Sequence, residues 1–504
     1  MQDRQPTKLK SVGMAALSGV LLALAFPPFN LFLLSLVALA PLFLCLRGAN
    51  FWQGFSRGFV FGFVLFSMTM FWLMQFVTRW TGSAMLGVVP WLIAVAYLSI
   101  FFGLFGATAA TCWRGNKPWL IPFVWAGFEV IRSTVPSMGF SWAVLGGSLW
   151  KMPALMQPAW WGGVYFLSTI ICFCSVAAVM AILKQPVRVA RAYVGAFLLP
   201  MFFSALSFSV ELDTDERVVA AVQPGTDMAF AQPAVQNAEL AKKVPEAMSV
   251  GFARLRDITL LPEGIARWDE GDSAPSAPFD MHFVYTTLLG GQRIFGGKTY
   301  QSVFGIDGYN KWLYSDKSRL VPFGEYVPFR DRLPFLKAFN LPTGDITAAE
   351  APKVLWINVT KVGPLICFEA LFEDVARSLA HKGAEMFVVP SNDDWYQNTA
   401  APEFLKAAAI TRAIENRMPV VRATPLGPSC IIDAKGQVVA ESKIGQTTTI
   451  FATVRVGDGF VSPLRDIFPM LVNLLALAVL FLPRLFAPRT KSQSLEADVQ
   501  LPAS

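Results

Sequence analysis

Over the first 210 residues, long apolar runs alternate with short loops that carry most of the basic residues of this half. A run of about 20 apolar residues is long enough to cross a bilayer as a helix. By that measure spans are predicted near 11–26, 31–46, 58–77, 86–112, 119–135, 162–183 and 192–210, with one more near 467–486. The first two are short, and PPFN at 27–30 sets a tight turn between them. A second span follows the first directly and no small-residue cleavage site is evident, so the first run does not read as a cleaved signal peptide.

From 211 to 465 the pattern changes. Short apolar runs sit between turn signals: VVAAVQPG (218–225), DITLLPE (257–263), KVGPLICFE (361–369), EMFVVPSND (385–393), MPVVRATPLG (418–427) and SCIIDAKGQVVAE (429–441). Helix-like stretches lie among them at 370–382 and 402–417, and the DAKG turn predicts a hairpin. Strands alternating with helices over this length predict an α/β domain with its own core. The expected fold class is therefore a multi-pass α-helical membrane bundle of about eight spans plus an α/β domain. The expected division is 1–210 with seven spans, 211–465 as the α/β domain, 466–487 as a last span and 488–504 as a tail.

Composition agrees with that division. The chain of 504 residues is 54% hydrophobic with a mean hydropathy of +0.47, well above soluble domains. Its net charge is +7. No basic stripe interleaved with aromatics occurs, so nucleic acid is excluded as a partner. Instead the positive charge orients the chain. With the N-terminus inside, the inner loops hold Arg4, Lys8, Lys10, Arg47, Arg57, Arg114, Lys117, Lys184, Arg188, Arg191, Arg484, Arg489 and Lys491, and the opposite short loops only Arg79, Arg132 and Lys151. Under the positive-inside rule the α/β domain lies on the outer face, the periplasmic side in a bacterium. Glu129 and Arg132, one helical turn apart, read as an interfacial ion pair, or as a contact to a lipid headgroup or packing under the outer domain. Trp150, Trp160 and Trp161 read as an interfacial belt.

The chemistry narrows from the residue types. The two histidines, His282 and His381, leave little room for a histidine-rich metal site or a histidine-based triad, and no Walker or GxSxG sequence appears. Four cysteines fall in apolar spans; Cys367 and Cys430 lie outside them and suggest no disulfide framework. Cys367 follows an apolar run and precedes an apparent helix, whose N-terminus would lower the thiol pKa. It reads as a nucleophile or as a packed core residue. A cysteine acyl enzyme also needs a base and an oxyanion partner. With histidine scarce, a carboxylate and a lysine are the remaining choices. Glu263 closes a probable strand, where partial desolvation raises a carboxyl pKa, although an exposed strand end is equally ordinary. Lys317 precedes VPFGEYVP, whose prolines and glycine hold an irregular loop bearing Glu325.

Taken together, PE at 262–263, a lysine eight residues before the glutamate of LVPFGE (320–325), and ICFE (366–369) resemble the Glu-Lys-Cys triad of the nitrilase superfamily. With spans before and after that domain, nearly the whole chain resembles the apolipoprotein N-acyltransferase family, the membrane-embedded branch, including MGFSW (138–142) and SNDDWY (391–396). The resemblance implies an αββα sandwich held in the periplasm by a bacterial inner-membrane bundle. It implies that Glu263 is the base, Lys317 the oxyanion partner and Cys367 the nucleophile, with Glu325 and Glu369 orienting them. The acyl chain would pass from a phospholipid of the phosphatidylethanolamine type, through a thioester, to the α-amino group of a diacylglyceryl-cysteine at a lipoprotein's N-terminus. No metal or soluble cofactor is implied. Phe368, Trp395 and Tyr326 would line the substrate side, and the basic, apolar segment 330–342 suits a lid at the bilayer or a core helix. A membrane-anchored amidase, or a relative with an altered acceptor, would use the same triad; a sensor or transporter would leave it unexplained. Leu261, Phe368, TPLG (424–427), Asp394 and Tyr396 depart from the family's usual residues and bear on the substrate pocket.

Overall fold

The computed structural model describes residues 7–211, 214–250, 256–280, 286–307, 309–332, 341, 344–457 and 460–486. Most of the candidate lid, 330–342, and the tail, 488–504, lie outside the described residues. Contacts gather the chain into two units. One takes in the described parts of 1–132, 168–200 and 467–504; the other joins 133–167 to 201–466. The division therefore differs from the boundary at 210 that hydropathy suggests, because 133–167 is grouped with the α/β residues.

The first unit is helical. Among the described residues, four helices are long and apolar enough to cross a membrane: Ala84–Arg114, Ala159–Ile182, Val187–Ser209 and Pro463–Phe481. Phe51–Thr69 and Phe71–Thr81 make a fifth if their 50° bend is counted within one span. The eight expected spans are thus not all continuous membrane-length helices. Lys8–Leu24 has 17 residues and Ile121–Thr134 has 14. The run at 31–46 is broken into a 3-10 turn, Phe32–Leu36, and a short helix, Ala40–Leu46, with Pro41 in its first turn. Outward-facing Ile93, Met470, Leu471 and Leu474 are about half exposed or more, as lipid-facing side chains must be.

Small residues set one close helix crossing. Gly54, Gly58 and Gly62 recur every four residues on Phe51–Thr69 and face Ala84–Arg114. A Cβ on Gly58 would lie 2.0 Å from the Phe102 carbonyl oxygen, so only glycine allows this approach. Glu129 and Arg132 are both fully buried, and the Arg132 guanidinium lies 5.3 Å from the Phe66 ring centroid. Both are enclosed by protein rather than exposed at its surface, which fits the cost of a charge in an apolar bundle.

The second unit contains two sheets. Its strands are β1 Glu216–Gln223, β2 Ile258–Leu260, β3 Ala266–Trp268, β4 Thr287–Phe295, β5 Lys298–Ile306, β6 Trp312–Asp316, β7 Leu355–Ile357, β8 Thr360–Pro364, β9 Met386–Pro390, β10 Val420–Ala423, β11 Cys430–Ile432, β12 Val438–Glu441 and β13 Thr448–Arg455. One sheet runs β13-β1-β2-β4-β5-β6, with β3 beside β4; the other runs β12-β11-β10-β9-β8-β7. Strands β1, β2 and β4 are parallel, as are β8, β9 and β10, while the outer pairs and the β11–β12 hairpin are antiparallel.

Alternation along the strands builds the layers. Val219, Ala221, Ile258, Leu260, Leu288 and Val303 of the first sheet meet Ile357, Val362, Val388, Val421 and Ile431 of the second in one dry core. On the first sheet's other face, Val222, Leu261, Leu289 and Phe304 pack against Leu240, Val244 and Ala247 of helix Pro233–Ser249. Helices Glu373–His381 and Ala401–Asn416 cover the second sheet. The result is the expected αββα sandwich. Residues 133–167 join this unit through aromatic contacts, with Trp142 stacked 4.4 Å from Phe404. Trp150 is 3% exposed there, so it is a packing residue and not part of an interfacial belt.

Candidate active site

Three loops converge at the ends of β2, β6 and β8. Glu263 stands three residues past β2, Lys317 directly after β6, and Cys367 three residues past β8. The first two belong to one sheet and the third to the other, so the site forms only when the sheets face each other.

Glu263 owes its place to glycines in the neighbouring strand. Leu261 and Ile265 donate their backbone N–H groups to Leu288 O and Gly290 O. A Cβ on Gly290 would lie 2.5 Å from Pro262 O and 2.7 Å from Glu263 Cα. Only a bare backbone lets β4 run this close beneath the Glu263 turn. The carboxylate is nearly buried; its Oε1 accepts from Gln301 Nε2 at 2.9 Å and its Oε2 from Asn392 N at 3.0 Å. Burial is the first cause that raises its pKa above the ordinary carboxylate value; the Lys317 ammonium opposes it and Glu325 adds to it.

Lys317 is held from both sides. Its N–H donates to Gln301 O at 2.8 Å and its carbonyl accepts from Ala349 N at 2.8 Å. The preceding Asp316 accepts two bonds from Arg293, at 3.0 and 2.6 Å, and one from Ser302 Oγ at 2.6 Å. The lysine side chain has no solvent exposure; Nζ donates to Glu325 Oε1 at 2.6 Å and lies 4.0 Å from Glu263 Oε1. Burial works against the ammonium, but Glu325 first, then Glu263, outweigh it and hold the lysine above its usual value. It is a fixed cation at neutral pH. Glu325 Oε2 accepts from Val321 N at 2.9 Å, which folds the VPFGE loop back onto the lysine.

Cys367 does not open an α-helix. It begins a 3-10 turn, Cys367–Leu371, and its own φ is +52°. A side chain in this left-handed region costs on the order of 1 kcal/mol, a strain common at functional sites. The expected lowering of the thiol pKa by a helix N-terminus is not what governs it. Burial and the Glu263 carboxylate push the thiol up, and Lys317 only partly offsets them. The thiol and the Glu263 carboxyl act on each other's proton affinity: the thiol helps to hold the carboxyl down, and the Ser391 side chain does the same for the thiol. The resting pair is therefore a thiol beside a carboxylate with raised proton affinity, arranged for general-base transfer and not for a preformed thiolate.

Glu369 ties the lysine loop to the cysteine turn. Its Oε1 accepts from Ser318 N at 2.7 Å, Ser318 Oγ at 2.8 Å and Arg319 N at 3.0 Å, while Oε2 accepts from Ile366 N at 2.9 Å. The Glu263, Lys317, Cys367, Glu325 and Glu369 side chains thus form one buried cluster. The three expected substrate-side residues make contacts of their own. Phe368 packs between Phe140, at 5.6 Å, and Phe372, at 5.3 Å. Trp395 meets Phe230 edge-on at 5.5 Å. The Tyr326 hydroxyl donates to Ser137 O. Sequence reasoning missed Gln301, Gly290 and the Asn392 backbone donor. The GG pair at 290–291 was the one signal available for the strand approach. SNDDWY drew attention, but through its side chains: Asp393 pairs with buried Arg422, and Asp394 accepts from Met228 N at 2.8 Å. Among the described residues, no group of three or more His, Cys, Asp or Glu side chains is arranged to hold a metal ion.

Residues 18–177 match the model described as the apolipoprotein N-acyltransferase N-terminal domain, and 277–459 the one described as carbon-nitrogen hydrolase. The second match takes in Lys317 and Cys367 and begins after Glu263. An apolipoprotein N-acyltransferase of Geobacter metallireducens is 28% identical over 484 residues, covering 90% of this chain and 92% of the relative. One of Rhizobium leguminosarum is 28% identical over 491 residues, covering 88% and 89%. One of Rickettsia prowazekii is 26% identical over 460 residues, covering 86% and 90%. Among solved structures, Saccharomyces cerevisiae Nit3, titled a member of branch 10 of the nitrilase superfamily, overlaps 53% of this chain and 98% of its own at a TM-score of 0.35 and 17% identity, too slight a likeness to carry weight.

Proposed function

We propose, on the premise that the chain belongs to the apolipoprotein N-acyltransferase family, that it N-acylates bacterial lipoproteins by way of a Cys367 thioester. The observation that carries the mechanism is the burial of Cys367 and Glu263 in one cluster with the Lys317 ammonium, which lies 4.0 Å from Glu263 and is locked by Glu325. Glu263 takes the thiol proton as sulfur attacks the ester carbonyl of a phospholipid of the phosphatidylethanolamine type. Lys317 and a backbone N–H near Phe368 stabilise the oxyanion. The proton returns to the departing alkoxide, and a lysophospholipid leaves. The α-amine of a diacylglyceryl-cysteine then attacks the thioester; Glu263 takes its proton and the thiolate departs and is reprotonated. The two half-reactions share one site, which makes the kinetics ping-pong.

Both substrates are lipids, which suits an integral membrane protein. In this reading the chain crosses the bacterial inner membrane eight times. Residues 1–210 supply seven crossings and 466–487 the last; 211–465 is the periplasmic catalytic domain and 488–504 a cytoplasmic tail. The asymmetry of basic residues between loops supports this orientation. The 17-residue helix Lys8–Leu24 reaches about 25 Å at 1.5 Å per residue, close to a hydrocarbon core. Phe368, Trp395 and Tyr326 then shape the substrate side through the aromatic and backbone contacts they make.

Incubation of the purified protein with acyl-labelled phospholipid tests the reading. A hydroxylamine-sensitive label on Cys367 that discharges to a diacylated lipopeptide is expected. A label that persists in Cys367→Ala, or one that discharges only to water, would overturn it.

A further inference from the structure

Gln301 sits on β5, 8% exposed, at the meeting point of two catalytic elements. Its backbone carbonyl accepts the N–H of Lys317 at 2.8 Å, and its side-chain Nε2 donates to Glu263 Oε1 at 2.9 Å. The two oxygens of Glu263 are consequently unequal. Oε1 accepts from Gln301 and also faces the Lys317 ammonium at 4.0 Å; Oε2 accepts one backbone N–H, from Asn392. A carboxylate oxygen has about two acceptor sites. Each oxygen thus accepts one hydrogen bond, and the ammonium, too distant at 4.0 Å to add a second on Oε1, disfavours a proton on the oxygen it faces through its charge.

We propose that Gln301 is the positioning residue of the catalytic base: its amide holds Glu263 Oε1 as an acceptor, so that the Cys367 proton is received at Oε2. The S–H bond breaks, an O–H bond forms at Oε2, and the sulfur electron pair is freed for attack on the acyl carbonyl. That proton later leaves with the lysophospholipid. An amide N–H at Oε1 favours the ionised form of Glu263, so Gln301 also keeps the base deprotonated to lower pH than burial alone would allow. The inference rests on the assignment of Glu263 as base, and deepens it.

Alkylation of Cys367 by iodoacetamide, followed by peptide mass spectrometry on the full-length protein in detergent, reads this proton transfer without any lipid substrate. The rate is measured against pH for the wild type, Gln301→Met, Gln301→Glu and Glu263→Gln. Met keeps the length of the side chain and the backbone bond to Lys317 but loses the donor. The expected result is a Gln301→Met profile whose rising limb moves up by about one pH unit, with alkylation on the order of tenfold slower below it. Gln301→Glu, which adds a second carboxyl, is expected to move the limb further. A merely structural role would scale the rate and leave the midpoint in place. If Gln301→Met does not fold, as judged by melting, Gln301→Glu decides alone. An unshifted midpoint in a folded variant overturns the proposal while leaving Glu263 as base. A wild-type profile unchanged by Glu263→Gln overturns the base assignment and this inference with it.

Discussion

Replacing Glu325 with Gln keeps the shape of the VPFGE loop and removes one charge from the buried cluster. The ammonium of Lys317, fully buried, now sits 2.6 Å from Glu325 and 4.0 Å from Glu263. At an effective dielectric of about 20, Coulomb's law gives ~6 kcal/mol at the shorter distance and ~4 kcal/mol at the longer. With Glu325 neutral, Glu263 becomes the lysine's strongest partner. Closing that contact to the distance Glu325 now holds would stabilise the Glu263 carboxylate by ~2 kcal/mol. A base stabilised by that amount in the resting state loses up to the same amount in the transition state, roughly thirtyfold in rate. The lysine is also drawn away from the position where the oxyanion forms, so the two effects act in the same direction. The assay is single-turnover acylation of Cys367 by labelled phospholipid, with melting recorded in parallel because a broken buried pair destabilises as well. Acylation of Glu325→Gln within twofold of the wild type would refute the reasoning, since it would mean that Glu325 does not hold the lysine off the base.

Gly290→Ala places a methyl 2.5 Å from Pro262 O, so it is expected to displace Glu263 and abolish acylation, with a stability loss of roughly 1–3 kcal/mol measured by denaturation. Asp394 is pushed up to about 7 from 3.8, first by burial, so the folded protein binds its proton more tightly than the unfolded chain and stability falls as pH rises through that window. Asp394→Asn removes this dependence: its melting temperature is expected to exceed that of the wild type at pH about 8, by up to ~4 kcal/mol in stability, and to match it near pH 4. Arg465, with no solvent exposure, donates to Glu415 O and Asn416 Oδ1 at 2.7 Å each and to Glu373 Oε1 at 3.0 Å. Arg465→Met leaves a buried carboxylate without this partner and is expected to cost about 3–5 kcal/mol, read as a lowered melting temperature.

Hydropathy and turn chemistry are local properties, and what depends on them was legible in the chain. Strands β1, β2, β8, β9 and β10 and the β11–β12 hairpin overlap the runs expected to form them, and so do the helices Glu373–His381 and Ala401–Asn416. The pair β4–β5 was not legible, because its glycines and polar residues interrupt the alternation that marks a strand. Span counting failed where a run was apolar enough but broken by backbone geometry, as at Phe32–Leu46.

The candidate site divides in the same way. Residue type narrowed the partners of a reactive cysteine to a carboxylate and a lysine, since a chain with two histidines has few other ways to activate a thiol, and the resemblance of PE, LVPFGE and ICFE to the nitrilase triad then singled out Glu263, Lys317 and Cys367. That these three meet depends on the packing of one sheet on another, which brings Cys367 to Lys317, 50 positions before it, and to Glu263, 104 positions before it. Burial depends on it too, and burial reverses the expected sign of the Cys367 pKa shift. The helix-terminus argument considered only the chain on either side of the thiol; the desolvation and the Glu263 charge that outweigh it come from packing and from the opposite sheet. Gln301 carries no signal in its own segment for the same reason. Its role exists only because β5 brings its side chain to one partner and its carbonyl to another. Which groups are available for chemistry and which runs are apolar can be read along the chain; their burial, their hydrogen-bond partners and the direction of their pKa shifts cannot, because these depend on neighbours that are distant along the chain.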